Sequence, residues 1–338
     1  MEKYNFIGKN LTNEDANAVS KALETRHFEE TKKELIDYRE PTPEESLNIE
    51  KSKKLIEEEL KLMGVDVTTF DINSYQFKFL NKSTGKGTYY SETRLIEIEN
   101  NYKVKLENIL KNPTKIIPSL GYFVQKLLTK ITQLNKNSKT ESNYSTIIHE
   151  AIHGKSFHKY ELDINKDNSE SYKINENTYR NGYLLTKNGQ EDYFRGLNEG
   201  VVDKTTMDIL MKEYKDEPDI LNKIRKILYY MESEYFIEML TIDSIINKIA
   251  KSKNKSTEEI WTQFKKGQFT GDMMHLRDIE DVYTPGSLRI LATMNPRTRM
   301  ASIKNLLYYT YFSTRSEFIR KIIENKLLSK NSKDKLKE

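Results

Sequence analysis

The fold of this chain is indicated most directly by one short run, Ile147-Ile148-His149-Glu150-Ala151-Ile152-His153-Gly154. It contains a His-Glu-x-x-His motif, in a chain with only five histidines. On a helix, residues four apart lie on one face, so His149 and His153 can direct both imidazoles at one metal ion. Glu150 is offset from them and can reach a water in the open position of that ion. This arrangement activates water against an amide.

The sequence around the motif favours a helix. Ser142 or Asn143 can serve as its N-cap, and Gly154 offers a C-cap after the second histidine. Apolar side chains form a stripe beside the histidines: Ile147, Ile148, Ala151 and Ile152. We therefore expect a helix that buries this stripe and directs its histidines into a cleft. The alternative is an accidental match on a solvated helix.

A third metal ligand is offered downstream by the run Gly196-Leu197-Asn198-Glu199-Gly200-Val201-Val202-Asp203. Glu199 and Asp203 are four residues apart and share a helical face, so one can bind the metal while the other sits behind it. A carboxylate that accepts the free N–H of a metal-bound histidine fixes the tautomer and orientation of that ring. The alternative is an ordinary helix start, because Asn198 can also serve as an N-cap.

Between the two motifs the sequence predicts a β-hairpin or a small sheet. The segments with strand character are 160–164, 178–185 and 190–194. Asn188-Gly189, between the last two, is a strong sign of a tight turn. Two roles are open for this insertion: a structural flap, or a wall of the substrate cleft with Tyr183 or Tyr193 facing a bound peptide.

The remainder of the chain predicts helices on either side of a strand-rich segment. Before the motif we expect helices at 16–38 and 43–63, strands at 65–67, 75–79 and 94–99, and an apolar helix at 119–134. From Asn198 onward the pattern is helical, with apolar periodicity at 220–231, 236–249, 257–264, 287–294 and 302–311.

Composition limits the chemistry and the partners. The 338 residues exceed the usual size of a single core, which predicts two lobes. The chain has no cysteine, which excludes disulfides, thiol chemistry and zinc sites that need a thiolate ligand. A net charge of +4 from 55 basic and 51 acidic residues gives no case for nucleic acid as the main partner. No segment has the length of a membrane span, and the start lacks an apolar signal core, so we expect a cytoplasmic protein, or a secreted one if a leader has been removed.

The two motifs, in this order, resemble the gluzincin clan of zinc metallopeptidases, of which thermolysin is the familiar member. The resemblance covers about 60 residues. It implies that His149, His153 and Glu199 bind Zn²⁺, that Glu150 is the general base, and that Asp203 supports His149 from behind, with Asn198 beside them. The gap between the motifs is longer than in thermolysin and the intervening sequence differs, so the resemblance is to the clan and implies no substrate preference.

The resemblance predicts an α+β fold. A zincin-like lobe would carry the His-Glu-x-x-His helix, a mainly helical C-terminal lobe would follow, and the active-site cleft would lie between them. The expected domains are 1–63, charged helices; 64–197, the zincin-like lobe with its inserted hairpin; and 198–338, the helical lobe. By resemblance, 95–99 would be the edge strand along the cleft, able to bind an extended peptide.

One catalytic role is left open by the motifs. Amide hydrolysis usually needs a further donor that stabilises the oxyanion as it forms. The clan often takes a His or Tyr from its C-terminal lobe. The candidates here are His275 and Tyr283, neither anchored by spacing.

The functional hypothesis is a zinc-dependent metallopeptidase acting on a peptide or protein substrate, with neither nucleic acid nor membrane as a partner. One alternative is a non-catalytic binding or regulatory protein of zincin fold whose zinc is structural. A third interpretation is an intracellular regulatory protease that cuts one partner protein. An open coordination position separates catalytic from structural zinc, because structural sites close with four protein ligands.

Overall fold

The computed structural model describes residues 6–7, 12–14, 16–17, 19–20, 38–66, 76–80, 87–90, 95–99, 138–166, 172–187, 191–213, 229 and 233–312. Its α-helices are α1 (Pro43–Leu62), α2 (Ser138–Lys155), α3 (Arg195–Glu213), α4 (Phe236–Lys253), α5 (Thr257–Thr270), α6 (Arg277–Val282), α7 (Ser287–Ala292) and α8 (Arg299–Leu307). Its strands are β1 (Phe6–Ile7), β2 (Tyr38–Arg39), β3 (Gln76–Leu80), β4 (Gly87–Tyr90), β5 (Leu95–Glu99), β6 (His158–Lys166), β7 (Tyr172–Asn181), β8 (Leu184–Lys187) and β9 (Glu191–Tyr193).

The chain divides into two compact units. The first comprises Met1, 12–155 and 206–232. The second comprises 2–11, 156–205 and 233–338. The three domain ranges expected from the sequence, and the cleft expected between two lobes, stay predictions.

In the first unit, helix α1 begins as its sequence predicts. The Thr42 hydroxyl accepts a hydrogen bond from the Glu45 amide at 3.2 Å, and the Glu45 carboxylate accepts one from the Thr42 amide at 2.8 Å. This reciprocal capping box satisfies two amides that a helix start leaves without partners. Arg39 pairs with the same carboxylate at 2.6 Å, which ties β2 to the start of the helix.

The sheet of the first unit has the strand order β2-β3-β5-β4. Strands β3 and β5 are parallel, and β4 runs antiparallel to β5. The expectation that 95–99 forms an edge strand is therefore wrong: β5 lies between two neighbours, so its backbone groups are committed on both sides. The described sheet ends in β2 on one side and in β4 on the other, and the segment of β4 was not among the predicted strands.

Helix α2 carries the His-Glu-x-x-His motif and packs against α1 and against strands β4 and β5. Its apolar stripe is wholly buried at Ile147, Ile148 and Ile152. The helix begins at Ser138, so neither Ser142 nor Asn143 is its N-cap, contrary to the prediction. Burial of this stripe, together with the packing on α1 and the sheet, fixes the direction in which the histidines point.

The sheet of the second unit has the order β1-β6-β7-β8-β9, with β1 parallel to β6 and the other pairs antiparallel. The strands expected at 160–164 and 190–194 are present as β6 and β9. The segment expected at 178–185 is not one strand, because the chain turns at Gly182 and Tyr183 between β7 and β8. Gly182 has φ +57°, in the left-handed region that favours glycine.

The helices of the second unit enclose its hydrophobic core. The buried residues come mainly from α3 to α7, from the π-helix Tyr308–Phe312 that follows α8, and from the β7–β8 turn: among them are Tyr183, Leu197, Val201, Ile242, Ile245, Trp261, Phe264, Leu291 and Tyr309. The helices expected at 236–249 and 257–264 are present as α4 and α5. Across the described residues, no helix has the length and apolar character needed to cross a bilayer.

Several sequence predictions fall on or beside residues that are not described. The helix expected at 119–134 lies outside the described residues, and so do the tight turn at Asn188-Gly189 and nearly all of the helix expected at 220–231. Most of the helix expected at 16–38 is also outside them, although its last residue, Tyr38, belongs to strand β2. The strand expected at 65–67 is absent at Val65 and Asp66.

The contact between α3 and α4 depends on Gly200. A Cβ atom there would lie 2.7 Å from Ile242 Cδ1 and 2.9 Å from Glu238 Cβ. We expect Gly200→Ala to lower the free energy of unfolding by about 1–3 kcal/mol through overpacking, even though alanine favours the helix. Urea denaturation measures this.

Gly64→Ala is the control for this measurement. Gly64 has φ +68° and no atom within 4 Å of a built Cβ, so that variant carries backbone strain without a clash. A Gly200→Ala protein as stable as the wild type would contradict the close approach of α3 and α4.

Candidate metal centre

Helix α2 places the two histidines of the motif side by side in a buried environment. His149 and His153 are 8% and 7% exposed, and Glu150 between them is 7% exposed. The positions of these three side chains follow from the local sequence. The neighbouring isoleucines occupy the buried face of the helix, and the imidazoles lie on the adjoining face. Three polar side chains on one turn would each lose hydration on burial, so each needs a partner there.

The two imidazoles converge on one point. Their Nε2 atoms lie 3.2 Å apart, and the ring centroids are 4.9 Å apart at an interplanar angle of 67°. Two nitrogens bound to one tetrahedral ion at about 2.0–2.1 Å would be about 3.3 Å apart. The same separation allows one neutral imidazole to donate to the other. The His–His spacing therefore fits either a shared proton or a shared cation.

Glu199 of helix α3 completes a group of three. Ligand atoms of His149, His153 and Glu199 all lie within 4.8 Å of one another, and the group is buried. Glu199 as a whole residue has intermediate exposure. Two imidazole nitrogens and one carboxylate oxygen form a donor set that binds divalent transition metals. The three residues could thus hold a metal ion.

Two residues flanking Glu199 have partners in the second unit. Asp203 is buried and accepts a hydrogen bond from the Ser233 hydroxyl. The support that Asp203 is expected to give His149 stays a prediction. Asn198 is not an N-cap, because α3 begins at Arg195. Its Oδ1 instead accepts hydrogen bonds from the Tyr183 amide and from Gln268 Nε2, each at 3.0 Å.

A further carboxyl group near Glu199 was not recognised from the sequence. Glu238 of α4 is only 2% exposed, and its side chain accepts a hydrogen bond from the Ser302 hydroxyl. Burial raises the pKa of Glu238, and the negative charges of Glu199 and Asp203 raise it further, against the lowering effect of Ser302. Its burial is indicated by the sequence, since Glu238 occupies the same helical face as Ile242 and Ile245.

His275, a predicted oxyanion donor, is held within the second unit. Its Nε2 lies 2.7 Å from the Tyr183 hydroxyl, which itself donates to the Phe264 carbonyl at 2.8 Å. A hydroxyl has one proton, so His275 donates to Tyr183. Burial lowers the pKa of His275 to about 4, against the raising effect of Asp272, so the ring is neutral at pH 7. His275 does not belong to the metal-ligand group found among the described residues.

Tyr283, the other predicted donor, lies in the aromatic core. Its hydroxyl donates towards the Ser244 and Tyr309 carbonyls at 3.3 and 3.4 Å, and burial raises its pKa. The oxyanion role stays a prediction for both His275 and Tyr283. Of the tyrosines expected to face a peptide, Tyr183 is fully buried, which excludes it, whereas Tyr193 is 38% exposed.

The metal ligand set can be tested by removing Glu199. We expect the wild type to bind about one metal ion per chain, and Glu199→Ala to lose most of it, because two imidazoles alone make an incomplete site. Elemental mass spectrometry on identically purified proteins measures the content. Asp208→Ala, on the same helix, is the control and should keep its metal. Equal metal in the wild type and Glu199→Ala would place the third ligand elsewhere.

The buried state of His275 predicts a pH effect on stability. Its ordinary pKa of 6.5 applies to the unfolded chain and about 4 to the folded one, so between these values only the unfolded chain takes up the proton. This contribution is complete above pH 6.5 and is lost as the pH falls towards 4. In His275→Gln, the difference in unfolding free energy between pH 7.5 and pH 5 should shrink by about 1–2 kcal/mol. An unchanged difference would contradict the burial of this ring.

Comparisons with known proteins do not bring a family name to this site. The chain matches no protein-family model, no curated protein and no solved structure.

Proposed function

We propose that the chain is a zinc-dependent metallopeptidase of gluzincin type. The observation that carries the proposal is the buried group of His149, His153 and Glu199, with its two Nε2 atoms 3.2 Å apart and Glu150 on the same helical turn. Zinc fits best because it binds imidazole and carboxylate in tetrahedral geometry. When bound, zinc supplies Lewis acidity and lowers the pKa of a water to about 7.

Glu150 is the proton carrier in this proposal. Its carboxylate stands next to His149 in the chain and is buried, so a proton transferred to it is shielded from bulk water. Glu150 takes a proton from the attacking water and passes it to the leaving amine. Acceptance and donation by one group keep the number of protons in the site constant through the reaction.

A peptide substrate can be held by the edge of the first unit's sheet. Strand β4 is at the edge of the described sheet and contacts the motif helix α2. Its outward amide and carbonyl groups can pair with an extended peptide by strand addition. This assigns to Gly87–Tyr90 the role that the resemblance to the clan suggested for Leu95–Glu99.

The alternative is a structural zinc site in a binding or regulatory protein. Structural zinc sites close with four protein ligands, whereas catalytic sites keep three and an open position. The group found among the described residues has three members. Three is the number of ligands that a catalytic zinc site takes from the protein, and this supports the catalytic proposal.

The proposal is tested by Glu150→Gln, which removes the proton acceptor and keeps the size of the side chain. The variant should retain its zinc and lose at least about 10²-fold in peptide hydrolysis. A broad mixture of peptides, with cleavage products identified by mass spectrometry, is the assay, since the substrate is unknown. Glu58→Gln, an exposed position on α1, is the matched control and should hydrolyse at the wild-type rate.

Two outcomes would contradict the proposal. A zinc-loaded wild type that cleaves nothing in the mixture would favour the structural alternative. A Glu150→Gln protein that cleaves as fast as the wild type would remove Glu150 from the mechanism.

A further inference from the structure

The side-chain amide of Gln268, on helix α5, joins two segments that adjoin metal ligands in the chain. It is fully buried, and its Nε2 donates to Ser156 Oγ at 2.7 Å and to Asn198 Oδ1 at 3.0 Å. Ser156 follows His153 by three residues, and Asn198 directly precedes Glu199. One amide thus bonds to the segment that leaves the motif helix and to the turn that bears the carboxylate ligand.

The orientation of this amide is fixed by a backbone group. The Tyr183 N–H donates to Asn198 Oδ1 at 3.0 Å, and a backbone N–H can only donate. The Asn198 atom is therefore an oxygen, and the Gln268 atom facing it must be the donor nitrogen. Both N–H groups of Gln268 are then used, one on Asn198 and one on Ser156, so the amide has one orientation.

The main chain reinforces the same junction. The Phe157 amide donates to the Gln268 carbonyl at 2.9 Å, and the Gly182 amide donates to the Phe157 carbonyl at 2.7 Å. A Cβ on Gly182 would lie 2.1 Å from Gln268 Nε2 and 2.6 Å from Asn198 Oδ1. The β7–β8 turn approaches the side-chain amides of Gln268 and Asn198 so closely that only glycine fits at position 182. Main-chain and side-chain bonds together leave little room for Gln268 to move.

We infer that Gln268 is a positioning residue for the metal centre: it fixes where the Ser156 segment and the Asn198 turn lie, and through them where His153 and Glu199 present their ligand atoms. The inference rests on the proposed function in that it requires a bound metal. Residues that orient metal ligands change metal affinity by about 10–100-fold when they are replaced. A residue that only fills the core would change stability and leave the affinity of the folded protein alone.

The test replaces the amide by a carboxylate of the same size. Gln268→Glu puts an acceptor oxygen against Asn198 Oδ1, which has no proton to donate, so that bond is lost, whereas the Ser156 hydroxyl can turn and donate to the new carboxylate. We expect the zinc dissociation constant, measured against a competing chelator, to rise at least about tenfold. The visible absorption of the cobalt(II)-loaded protein, which reports coordination geometry, should also change. Gln263→Glu, on the same helix and half-buried, is the matched control and should match the wild type in both measurements.

A second variant keeps the test decisive if Gln268→Glu does not fold. Ser156→Ala removes one of the two bonds and no charge is introduced. It should weaken zinc binding in the same direction and alter the cobalt spectrum, at a temperature where circular dichroism shows a folded protein. Wild-type affinity and an unaltered spectrum in the folded variants would overturn the positioning role alone. A wild type that takes up no metal would contradict the proposed function as well.

Discussion

The approach of two imidazole nitrogens to 3.2 Å is the constraint around which the candidate site is organised. Two lone pairs at that distance repel unless a proton or a cation lies between them. The surroundings favour a cation, because the negative charges of Glu199 and Asp203 both act on the Glu238 carboxyl group in the second unit. Glu199 is also within ligand distance of the histidines. Clustered carboxylates create a negative potential, which stabilises a bound divalent cation.

The parts of the site and of the fold that could be predicted depend on residues close to one another in the chain. His149 and His153 share a face because a helix has 3.6 residues per turn. Once the helix is predicted, the proximity of the two imidazoles follows. The capping box of α1 is equally local, since Thr42 and Glu45 are three residues apart. Strands β3 and β5 could be recognised from their alternation. In each case the interacting residues lie within one or two turns, or one strand, of each other.

The parts that could not be predicted depend on partners far along the chain. Strand β5 was expected at an edge by resemblance alone, and its pairing with both β3 and β4 places it inside the sheet. The start of α3 at Arg195 leaves Asn198 free of capping, and its amide oxygen serves Tyr183 and Gln268 instead. Gln268 is 112 residues from Ser156 and 70 from Asn198, and no local pattern marks such a link.

Stability alone does not explain a glutamine at position 268 in the core of the second unit. Its Oε1 is buried and has no hydrogen-bond partner among the described residues. An unsatisfied buried acceptor costs about 1–3 kcal/mol, which an apolar side chain of similar volume would avoid. Phe264 and Phe269 on the same helix are buried, so an apolar residue at position 268 would join an apolar surface that already exists. A polar group that breaks the local rule is expected where orientation matters, and here it bonds the two segments next to His153 and Glu199.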